Sequence, residues 1–374
     1  MKKIIVAPDS FKGSLSASEA CRIIAEEAAR VFPQAEIIQL PISDGGEGLV
    51  DVVFNALGGT RRRVQTVDPL GRKISAEYLQ LVDGSALIEM AGAGGLTLLT
   101  PGEYDPLRTS TFGVGLMILD AIKAGADPIY IGLGGSATVD GGTGSATALG
   151  MRFLGEKGEK ITNGGGLVNV QSLDLTGLRE LNYFGKLIFL TDVTNPLCGP
   201  NGAAEIFGPQ KGATPEQVRQ LDQGLRNLAE LIERQTGLDL QDIPGMGAAG
   251  GFALPFVMFM GAEIHSGIDF VLDLLKFDDK LSDADLVITG EGRTDTQSVM
   301  GKAISAGARR AHAAGVRVAV ISGALGQGAE KMLDLGVDDL IQATPAGQTL
   351  EDALSHAAEN LANAARKYLM GLSD

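Results

Sequence analysis

The sequence predicts an α/β fold: an open parallel, Rossmann-like sheet domain built from both chain ends, with a second α/β domain inserted between them. Apolar strand-like runs alternate with helical patterns over the first 67 residues, and the same alternation resumes near residue 279. The length of 374 residues also exceeds what one hydrophobic core usually holds. We therefore expect a discontinuous domain of residues 1–67 and 279–374, an inserted α/β domain of residues 68–278 with a glycine-rich phosphate loop, and an active site in the cleft between them. Two contiguous domains are the alternative.

The opening of the chain has the signals of a β–α–β–α–β unit. A capping box at Ser16 and Glu19 marks the start of the first helix, and Gly58 with Gly59 ends the second. The predicted elements are a strand at 3–7, a helix from 16 to about 32, a strand at 36–41, a helix at 47–57 and a third strand at 61–67. Strands separated by helices in this way are expected to lie parallel in one sheet.

The pattern changes after residue 68 and returns to its first style near the end of the chain. Two alternating runs between Arg72 and Met90 meet at Asp83-Gly84, which predicts a β-hairpin. The apolar window 245–261 is interrupted by glycines and a proline, which indicates a bent, buried helix rather than a membrane span. The remaining predicted elements are helices at 109–124, 214–235, 302–314, 328–335 and 349–370 and strands at 186–191, 284–289, 316–322 and 339–343, together with a strand-like apolar run that begins at residue 129.

Charge and cysteine content narrow the classes of function. With 31 basic and 46 acidic residues the formal net charge is −15, and this field repels nucleic-acid backbones and anionic membranes. Cys21 and Cys198 are too few for a disulfide framework or a metal knuckle, which favours the cytoplasm. The N-terminal apolar run is cut short by Pro8 and Asp9, so no signal peptide is expected. We expect an enzyme acting on small molecules, with the oligomeric state open and a homodimer as one option.

The stretch 129–144, IYIGLGGSATVDGGTG, is the strongest candidate for a binding site. An apolar strand passes into a glycine-rich turn, which opens into small helix-forming residues. Glycines let a phosphate approach the main chain closely, and a helix that begins beside them directs unpaired N–H groups at it. Candidate phosphate contacts are Gly134, Gly135, Ser136 and Thr138. Asp140 joins this set because it could receive a hydroxyl proton or hold a metal ion.

Three interpretations of this loop stay open. Gly132, Gly134 and Ala137 satisfy the dinucleotide pattern G-x-G-x-x-A, although no clean ribose-binding acid follows on a later strand. Pro128 with GLGGSA also resembles the phosphate loop of the galactokinase, homoserine kinase and mevalonate kinase superfamily, with Gly135 where that pattern has serine. The third interpretation is a glycine turn that only packs a helix against a sheet.

Polar clusters follow the first two predicted strands. Asp9, Ser10 and Lys12 leave the first strand. Lys12 could anchor a phosphate or carboxylate, and Asp9 could be a metal ligand or a base. Asp44 and Glu47 leave the second strand in SDGGEG, where they could bind Mg²⁺ or only cap the next helix. Because ligands of open parallel sheets bind at the carboxyl ends of strands, position supports both clusters.

Later segments have polar residues in similar places. The segment 191–203 reads TDVTNPLCGPNGA, GPQKG follows, and 289–298 reads TGEGRTDTQS. The last is not a Walker A loop, since Thr296 stands where that motif needs glycine. The candidate site residues here are Asp192, Asn195, Lys211, Asp269, Glu291, Arg293 and Asp295. Cations for anionic groups and carboxylates for Mg²⁺ or a base together indicate phosphoryl transfer.

Six motifs, in this order, resemble the type-1 glycerate kinase family over nearly the whole chain: APDSFKGSLSA, PISDGGEG, GLGGSATVDGGTG, TDVTNPLCGPNGA, GPQKGA and TGEGRTDTQS. The resemblance implies ATP-dependent phosphorylation of D-glycerate with Mg²⁺, at the 2-hydroxyl, in glycerate, glucarate or glyoxylate catabolism. It also implies a two-domain α/β fold. Phosphorylation at the 3-hydroxyl in the same fold is one alternative. An NAD-dependent hydroxyacid dehydrogenase is another, although no histidine lies in a catalytic motif.

The roles of single residues are physical hypotheses. We expect Arg293 or Lys12 to hold the substrate carboxylate, and an aspartate to accept the proton of the attacking hydroxyl, with Asp192 and Asp9 as candidates. Further residues expected at substrate or phosphate are Ser10, Asn195, Lys211 and Asp295. The predicted Mg²⁺ ligands are Asp44, Glu47, Asp192, Asp269 and Glu291. Which carboxylate is the base and which binds metal stays open.

Overall fold

The structure is a computed structural model that describes residues 1–43, 45–46, 48–299 and 303–373, without the side chains of residues 297 and 299. It is a mixed α/β structure and divides into two compact units. The terminal unit comprises Met1–Asp44, Asp51–Ala56 and Gly267–Asp374, and the central unit comprises Gly45–Val50 and Leu57–Ser266. The domain limits predicted at residues 67/68 and 278/279 stay a prediction.

Strands and helices are numbered along the chain. The strands are β1 (Lys3–Val6), β2 (Glu36–Gln39), β3 (Thr60–Val67), β4 (Lys73–Gln80), β5 (Ala86–Glu89), β6 (Ile129–Gly132), β7 (Arg152–Leu154), β8 (Ser172–Asp174), β9 (Leu187–Leu190), β10 (Glu263–His265), β11 (Leu286–Thr289), β12 (Arg293–Thr294), β13 (Arg317–Ser322), β14 (Ala324–Leu325) and β15 (Asp339–Gln342). The helices are α1 (Ala17–Val31), α2 (Leu49–Leu57), α3 (Ala91–Gly94), α4 (Phe112–Lys123), α5 (Thr143–Ala148), α6 (Thr176–Leu181), α7 (Ala203–Phe207), α8 (Pro215–Thr236), α9 (Leu254–Met260), α10 (Gly267–Leu274), α11 (Phe277–Leu281), α12 (Thr296–Val299), α13 (Ala303–Ala313), α14 (Leu350–Ser355) and α15 (Ala357–Gly371).

The terminal unit is built on a five-stranded sheet in the order β15-β13-β11-β1-β2, in which all neighbouring pairs are parallel. Its strands contribute fully buried side chains such as Ile4 and Ile288. Helix α1 begins at the predicted capping box, where the Ser16 hydroxyl accepts the Glu19 N–H and Glu19 accepts the Ser16 N–H. It packs against α15. The predicted parallel sheet built from both chain ends is confirmed.

The central unit contains a six-stranded sheet in the order β10-β9-β6-β5-β4-β3. The strands β10, β9, β6 and β5 are parallel to one another, and β4 and β3 continue the sheet in antiparallel fashion. The hairpin predicted at Asp83-Gly84 is confirmed by the antiparallel pairing of Gln80 with Ala86. Phe189 of β9 packs with Phe252 and Phe256, whose ring centroids lie 5.5 Å from its own, and this aromatic cluster fixes β9 in the core.

One predicted strand pairing is wrong. The sequence predicts β3 as a third parallel strand, but it runs antiparallel to β4, from Thr60 opposite Gln80 to Val67 opposite Lys73. The short turn between them, closed by an N–H to O bond from Gly71 to Asp68 of 2.9 Å, permits only antiparallel strands. The exposed arginines at 61–63 suit the outer strand of a sheet, which charged side chains protect from pairing with other chains.

The apolar window 245–261 is bent, as predicted, and it is buried over residues 245–256. A 3-10 turn at Ala248–Gly250 is followed by Gly251, whose φ of +81° breaks the helical path before α9 begins. Pro255 occupies the first turn of α9, where a missing N–H costs no helical hydrogen bond. Within the described ranges, none of the helices combines the length and apolar character needed to cross a bilayer.

Candidate active site

The carboxyl ends of four parallel strands meet at one edge of the central-unit sheet. Glu89, Gly132, Leu190 and His265 lie in register on β5, β6, β9 and β10. The residues that follow them, among them the glycine loop 133–142 after β6, Asp192 after β9 and Ser266 after β10, therefore leave the sheet at the same edge. This is the place where open parallel sheets bind ligands.

Packing within the central unit explains two of the loop glycines. A Cβ atom on Gly134 would lie 2.3 Å from Cα of Gly46, and one on Gly132 would lie 2.5 Å from the carbonyl oxygen of Gly45. Gly135 is exposed and has a φ of +72°, which side chains rarely adopt. Glycine at 132 and 134 is thus required by the approach of two backbone segments, with or without a ligand.

The first amides of α5 are occupied by Asp140 rather than pointing at a ligand. This fully buried carboxylate accepts the N–H groups of Gly142 (3.1 Å) and Gly144 (3.3 Å) and both the N–H and the hydroxyl of Thr111 (2.8 Å each). Burial raises the pKa of Asp140, whereas these donors favour its ionised form. The expectation that the start of this helix faces a phosphate is therefore wrong.

Lys211 lies beneath the glycine loop. It ends the 3-10 helix Pro209–Lys211, and its buried Nζ donates to Ser136 Oγ (2.8 Å) and to the carbonyl oxygen of Thr138 (2.6 Å). Burial lowers the pKa of Lys211 to about 7, and the charge of Asp140 opposes this shift. The structure thus brings together four predicted site residues, Ser136, Thr138, Asp140 and Lys211, but on the buried side of the loop.

The loop after β9 has a structural and a candidate catalytic part. Asn195 fastens the loop, because its Nδ2 donates to the carbonyl oxygen of Asn201 (2.8 Å) and its own carbonyl accepts the Gly247 N–H (2.9 Å). Asp192 is half-buried, and its Oδ1 accepts the Ser266 hydroxyl at 2.8 Å. Ser266 follows β10, so this hydrogen bond joins the ends of two neighbouring strands and orients the Asp192 carboxylate.

Sequence reasoning missed Glu89 at the same edge. Its Oε1 accepts the Val50 N–H at 2.6 Å, and it closes β5 in register with Gly132. The available signal is an acid that ends an apolar strand, ALIE, just before the small-residue segment MAGAGG. In the sequence, the hairpin pattern at Asp83-Gly84 assigns this segment to a β-hairpin, and Glu89 does not stand out as a site residue.

A second group of predicted residues meets at the carboxyl edge of the terminal-unit sheet. The Asp9 N–H donates to the carbonyl oxygen of Gly290 (2.9 Å). A Cβ on Gly292 would lie 3.2 Å from the main-chain nitrogen of Lys12. The Asp9 carboxylate accepts the Ser10 N–H at 2.6 Å. The loops that follow β1 and β11 therefore lie side by side, as parallel strands with aligned carboxyl ends require.

In the loop after β11, Glu291 and Arg293 differ in exposure. The buried Glu291 accepts the hydroxyls of Thr294 (3.2 Å) and Ser298, and Thr294 Oγ1 lies 2.6 Å from Ser322 Oγ. This hydroxyl network places Glu291 among the groups that hold the loop. Arg293 is 67% exposed, and its Nε donates to Asp295 Oδ2 at 3.3 Å.

The predicted metal ligands do not form one cluster in the described part of the chain. Asp269 on α10 pairs with Arg310 Nη2 at 2.7 Å. Arg310 lies in the last turn of α13, so Asp269 is engaged by an arginine of a neighbouring helix. No group of three or more His, Cys, Asp or Glu could hold a metal ion within the described ranges. Asp44 and Glu47 lie outside the described residues.

Comparison with known proteins bears on the whole chain. The sequence profile of the glycerate kinase family matches residues 4–372. A glycerate 2-kinase of Escherichia coli strain K12 is 41% identical over 373 residues, which cover 99% of this chain and 98% of the relative. A glycerate kinase of Bacillus subtilis strain 168 is 43% identical over 366 residues, which cover 97% and 96%. The crystal structure of a candidate glycerate kinase 2 from Salmonella typhimurium LT2 matches with a TM-score of 0.84 at 41% identity, covering 99% of this chain and 98% of that one.

These matches confirm the α/β fold class and the resemblance found in the six motifs, and they lend the dehydrogenase alternative no support. The matches extend over 97% and 99% of this chain and over 96% and 98% of the two relatives, so they are not confined to one domain. A profile match from residue 4 to residue 372, with identities of 41% and 43% over almost the full length, shows that the chain belongs to the glycerate kinase family and is a kinase.

Proposed function

We propose that the protein uses ATP to phosphorylate D-glycerate at the 2-hydroxyl, giving 2-phospho-D-glycerate. The observation that carries this proposal is the glycine loop 133–142, which leaves the carboxyl edge of the central-unit sheet beside the strand that ends before Asp192. The name of the E. coli relative, a glycerate 2-kinase at 41% identity, supports the position of phosphorylation.

In the central unit, we assign ATP phosphates to the more exposed part of the glycine loop. Among the described residues, the N–H groups of Gly134 and Gly135 have no hydrogen-bond acceptor, whereas that of Ala137 donates to the Gly94 carbonyl oxygen. Consecutive N–H groups beside a left-handed residue form a concave anion site, and the φ of Gly135 supplies that conformation. Phosphate oxygens would accept from these amides, with no basic side chain needed at the same point.

Family chemistry implies Mg²⁺ with ATP, and the chain has a carboxylate that fits it. Mg²⁺ at kinase sites is usually held by one or two carboxylates together with the phosphates, so a closed protein cage is not required. Asp192 meets this need because it is half-buried at the strand ends and is oriented by Ser266. When bound there, Mg²⁺ would neutralise phosphate charge. Asp44 and Glu47 stay predicted ligands.

In the terminal unit, we propose that Arg293 holds the substrate carboxylate and that Asp9 accepts the proton of the attacking hydroxyl. The guanidinium of Arg293 is exposed and is oriented through its Nε by Asp295, and its planar fork matches a carboxylate. Lys12 is also exposed and is the second candidate for this contact. Asp9 sits at the end of β1, where its carboxylate is fixed by the Ser10 N–H.

Phosphorus NMR of the product tests the proposed reaction. With D-glycerate, ATP and Mg²⁺, we expect a phosphoester signal split into a doublet, because a 2-phosphate is coupled to the single proton on its carbon. A triplet would show phosphorylation of the terminal CH₂OH group and would overturn the proposed position. Absence of a new phosphoester, or reduction of NAD⁺ by glycerate, would overturn the proposed reaction.

Replacement of Arg293 by methionine is expected to raise the KM for glycerate by about 10- to 100-fold, because a charge-assisted hydrogen bond contributes roughly 1.5–3 kcal/mol. The KM for ATP is expected to stay near the wild-type value. Steady-state kinetics with each substrate varied in turn measures both constants. Arg309→Met, which removes an exposed arginine of α13, is the matched control. An unchanged KM for glycerate in Arg293→Met would exclude Arg293 from substrate binding.

Replacement of Asp269 by asparagine is expected to leave the kinase activity and its Mg²⁺ dependence unchanged. The Asp269 side chain is 55% exposed and pairs with Arg310, so the loss of free energy of unfolding should be below about 1 kcal/mol. Asp273→Asn is the matched control, because Asp273 pairs with the same arginine and is not a predicted metal ligand. A tenfold higher Mg²⁺ requirement in Asp269→Asn alone would return Asp269 to the metal site.

A further inference from the structure

We propose that Lys211 is a positioning residue, which holds the glycine loop in its binding shape from the buried side and does not itself contact phosphate. The lysine is 2% exposed, and its Nζ is engaged by Ser136 Oγ and by the Thr138 carbonyl oxygen. A lysine that neutralises a phosphate must present its ammonium group at the ligand surface. Lys211 presents it to the underside of the loop.

The backbone that carries Lys211 is fixed. Gly212 follows it with a φ of +93°, and a Cβ at that position would lie 2.4 Å from the carbonyl oxygen of Tyr104. The Lys211 N–H donates to the Gly208 carbonyl oxygen at 3.0 Å. Because the main chain is held on both sides of Lys211, the ammonium group has a defined position from which to tie the loop.

Two buried threonines also form hydrogen bonds to the same loop. Thr109 Oγ1 donates to the carbonyl oxygen of Ala137 (2.9 Å), and Thr111 donates to Asp140. These ties and the two hydrogen bonds of Lys211 hold consecutive parts of the loop between residues 136 and 140. Gly134 and Gly135, whose N–H groups we assign to phosphate, are left as the more exposed part. Lys211 therefore acts on phosphate through the loop.

Titration of Lys211 should affect stability in a definite direction. Burial lowers its pKa to about 7 from an ordinary value of 10.5, and Asp140 is the charged group that acts against this shift. Between these two pH values the unfolded chain binds more protons than the folded protein, so stability rises with pH. We therefore compare the thermal unfolding midpoint of the wild type with that of Lys211→Met at each pH. The difference, wild type minus variant, is expected to increase from pH 7 to pH 9 and to stay constant from pH 5.5 to pH 6.5.

Hydrogen exchange of the loop tests the positioning role without reference to catalysis. In Lys211→Met, peptides covering residues 134–140 are expected to exchange at least tenfold faster than in the wild type. Lys157→Met, at an exposed lysine of the central unit, should exchange as the wild type does. Ser136→Ala removes one acceptor of Lys211 and should give a smaller increase, which keeps the test available if Lys211→Met does not fold. Unchanged exchange in the folded variants would overturn the proposal.

Kinetics then separates positioning from a merely structural role, and this part rests on the proposed function. Lys211→Met is expected to raise the KM for ATP at least tenfold while the KM for glycerate changes less than threefold. An equal rise in both constants would overturn the positioning role. If the wild type does not phosphorylate glycerate, the proposed function fails, whereas the exchange result still decides how Lys211 acts on the loop.

Discussion

Replacing Asp192 by asparagine is expected to lower kcat for glycerate phosphorylation by about 10³-fold. The reason is that the proposed Mg²⁺, which neutralises charge at the transferring phosphoryl group, would lose its carboxylate ligand. The thermal unfolding midpoint should not change, because Asp192 is only half-buried and the asparagine oxygen can still accept the Ser266 hydroxyl. Steady-state turnover at saturating ATP, glycerate and Mg²⁺ measures the first effect, and calorimetry measures the second.

Asp222→Asn is the matched control for Asp192→Asn. Asp222 lies on α8, and its Oδ1 accepts the Gly199 N–H of the same loop at 2.7 Å, which an asparagine oxygen can also do. This variant removes a negative charge near the loop but not at the strand ends, so turnover should stay within several-fold of the wild type. Near-normal turnover in Asp192→Asn would exclude Asp192 from the site, and equal losses in both variants would assign the effect to loop shape.

Replacing Gly134 by alanine is expected to reduce the free energy of unfolding by about 1–3 kcal/mol, the usual cost of forcing extra atoms into a packed site. The added Cβ would lie 2.3 Å from Cα of Gly46, and backbone rather than a flexible side chain would have to move. Urea denaturation measures the change. The effect is expected in the absence of any nucleotide, because the contact is made within the protein.

Gly102→Ala provides the comparison, since a Cβ at position 102 meets nothing within 4 Å. Its free energy of unfolding should stay within about 0.5 kcal/mol of the wild type. If Gly134→Ala were equally stable but no longer bound ATP, glycine at 134 would serve the approach of phosphate rather than the packing of Gly46. A loss of both properties would show that packing and binding depend on the same backbone segment.

The parts of the fold that could be predicted have local signals. The capping box at Ser16 and Glu19 is complete within four residues, and the buried strands β1, β11 and β13 are continuous apolar runs. The antiparallel pairing of β3 could not be read in the same way. Its direction is set by the Asp68–Gly71 turn and its partner β4, whereas the sequence shows only an alternating strand after a helix.

For the candidate site, the carboxyl-edge rule identifies which loops meet, but not which side chains face outward. The rule places Asp9 beside the loop after β11 and Asp192 beside the end of β10. It does not reveal that Lys211 is buried under Ser136, because that contact joins segments far apart in the chain. Nor does it reveal that Asp140 caps its own helix, since a carboxylate near glycines has the same pattern when it binds a ligand.

The interior position of β1, between β2 and β11 in the five-stranded sheet, has a consequence for synthesis of the protein. Ile4 pairs with Ile37 on one side and with Leu286 on the other. A ribosome adding about 5–20 residues per second needs roughly 15–60 s to proceed from β1 to β11. Throughout that interval one edge of β1 lacks the neighbour that later completes its hydrogen bonds. The shielding of Ile4 and Val6 then falls to α1, which leaves the ribosome directly after them.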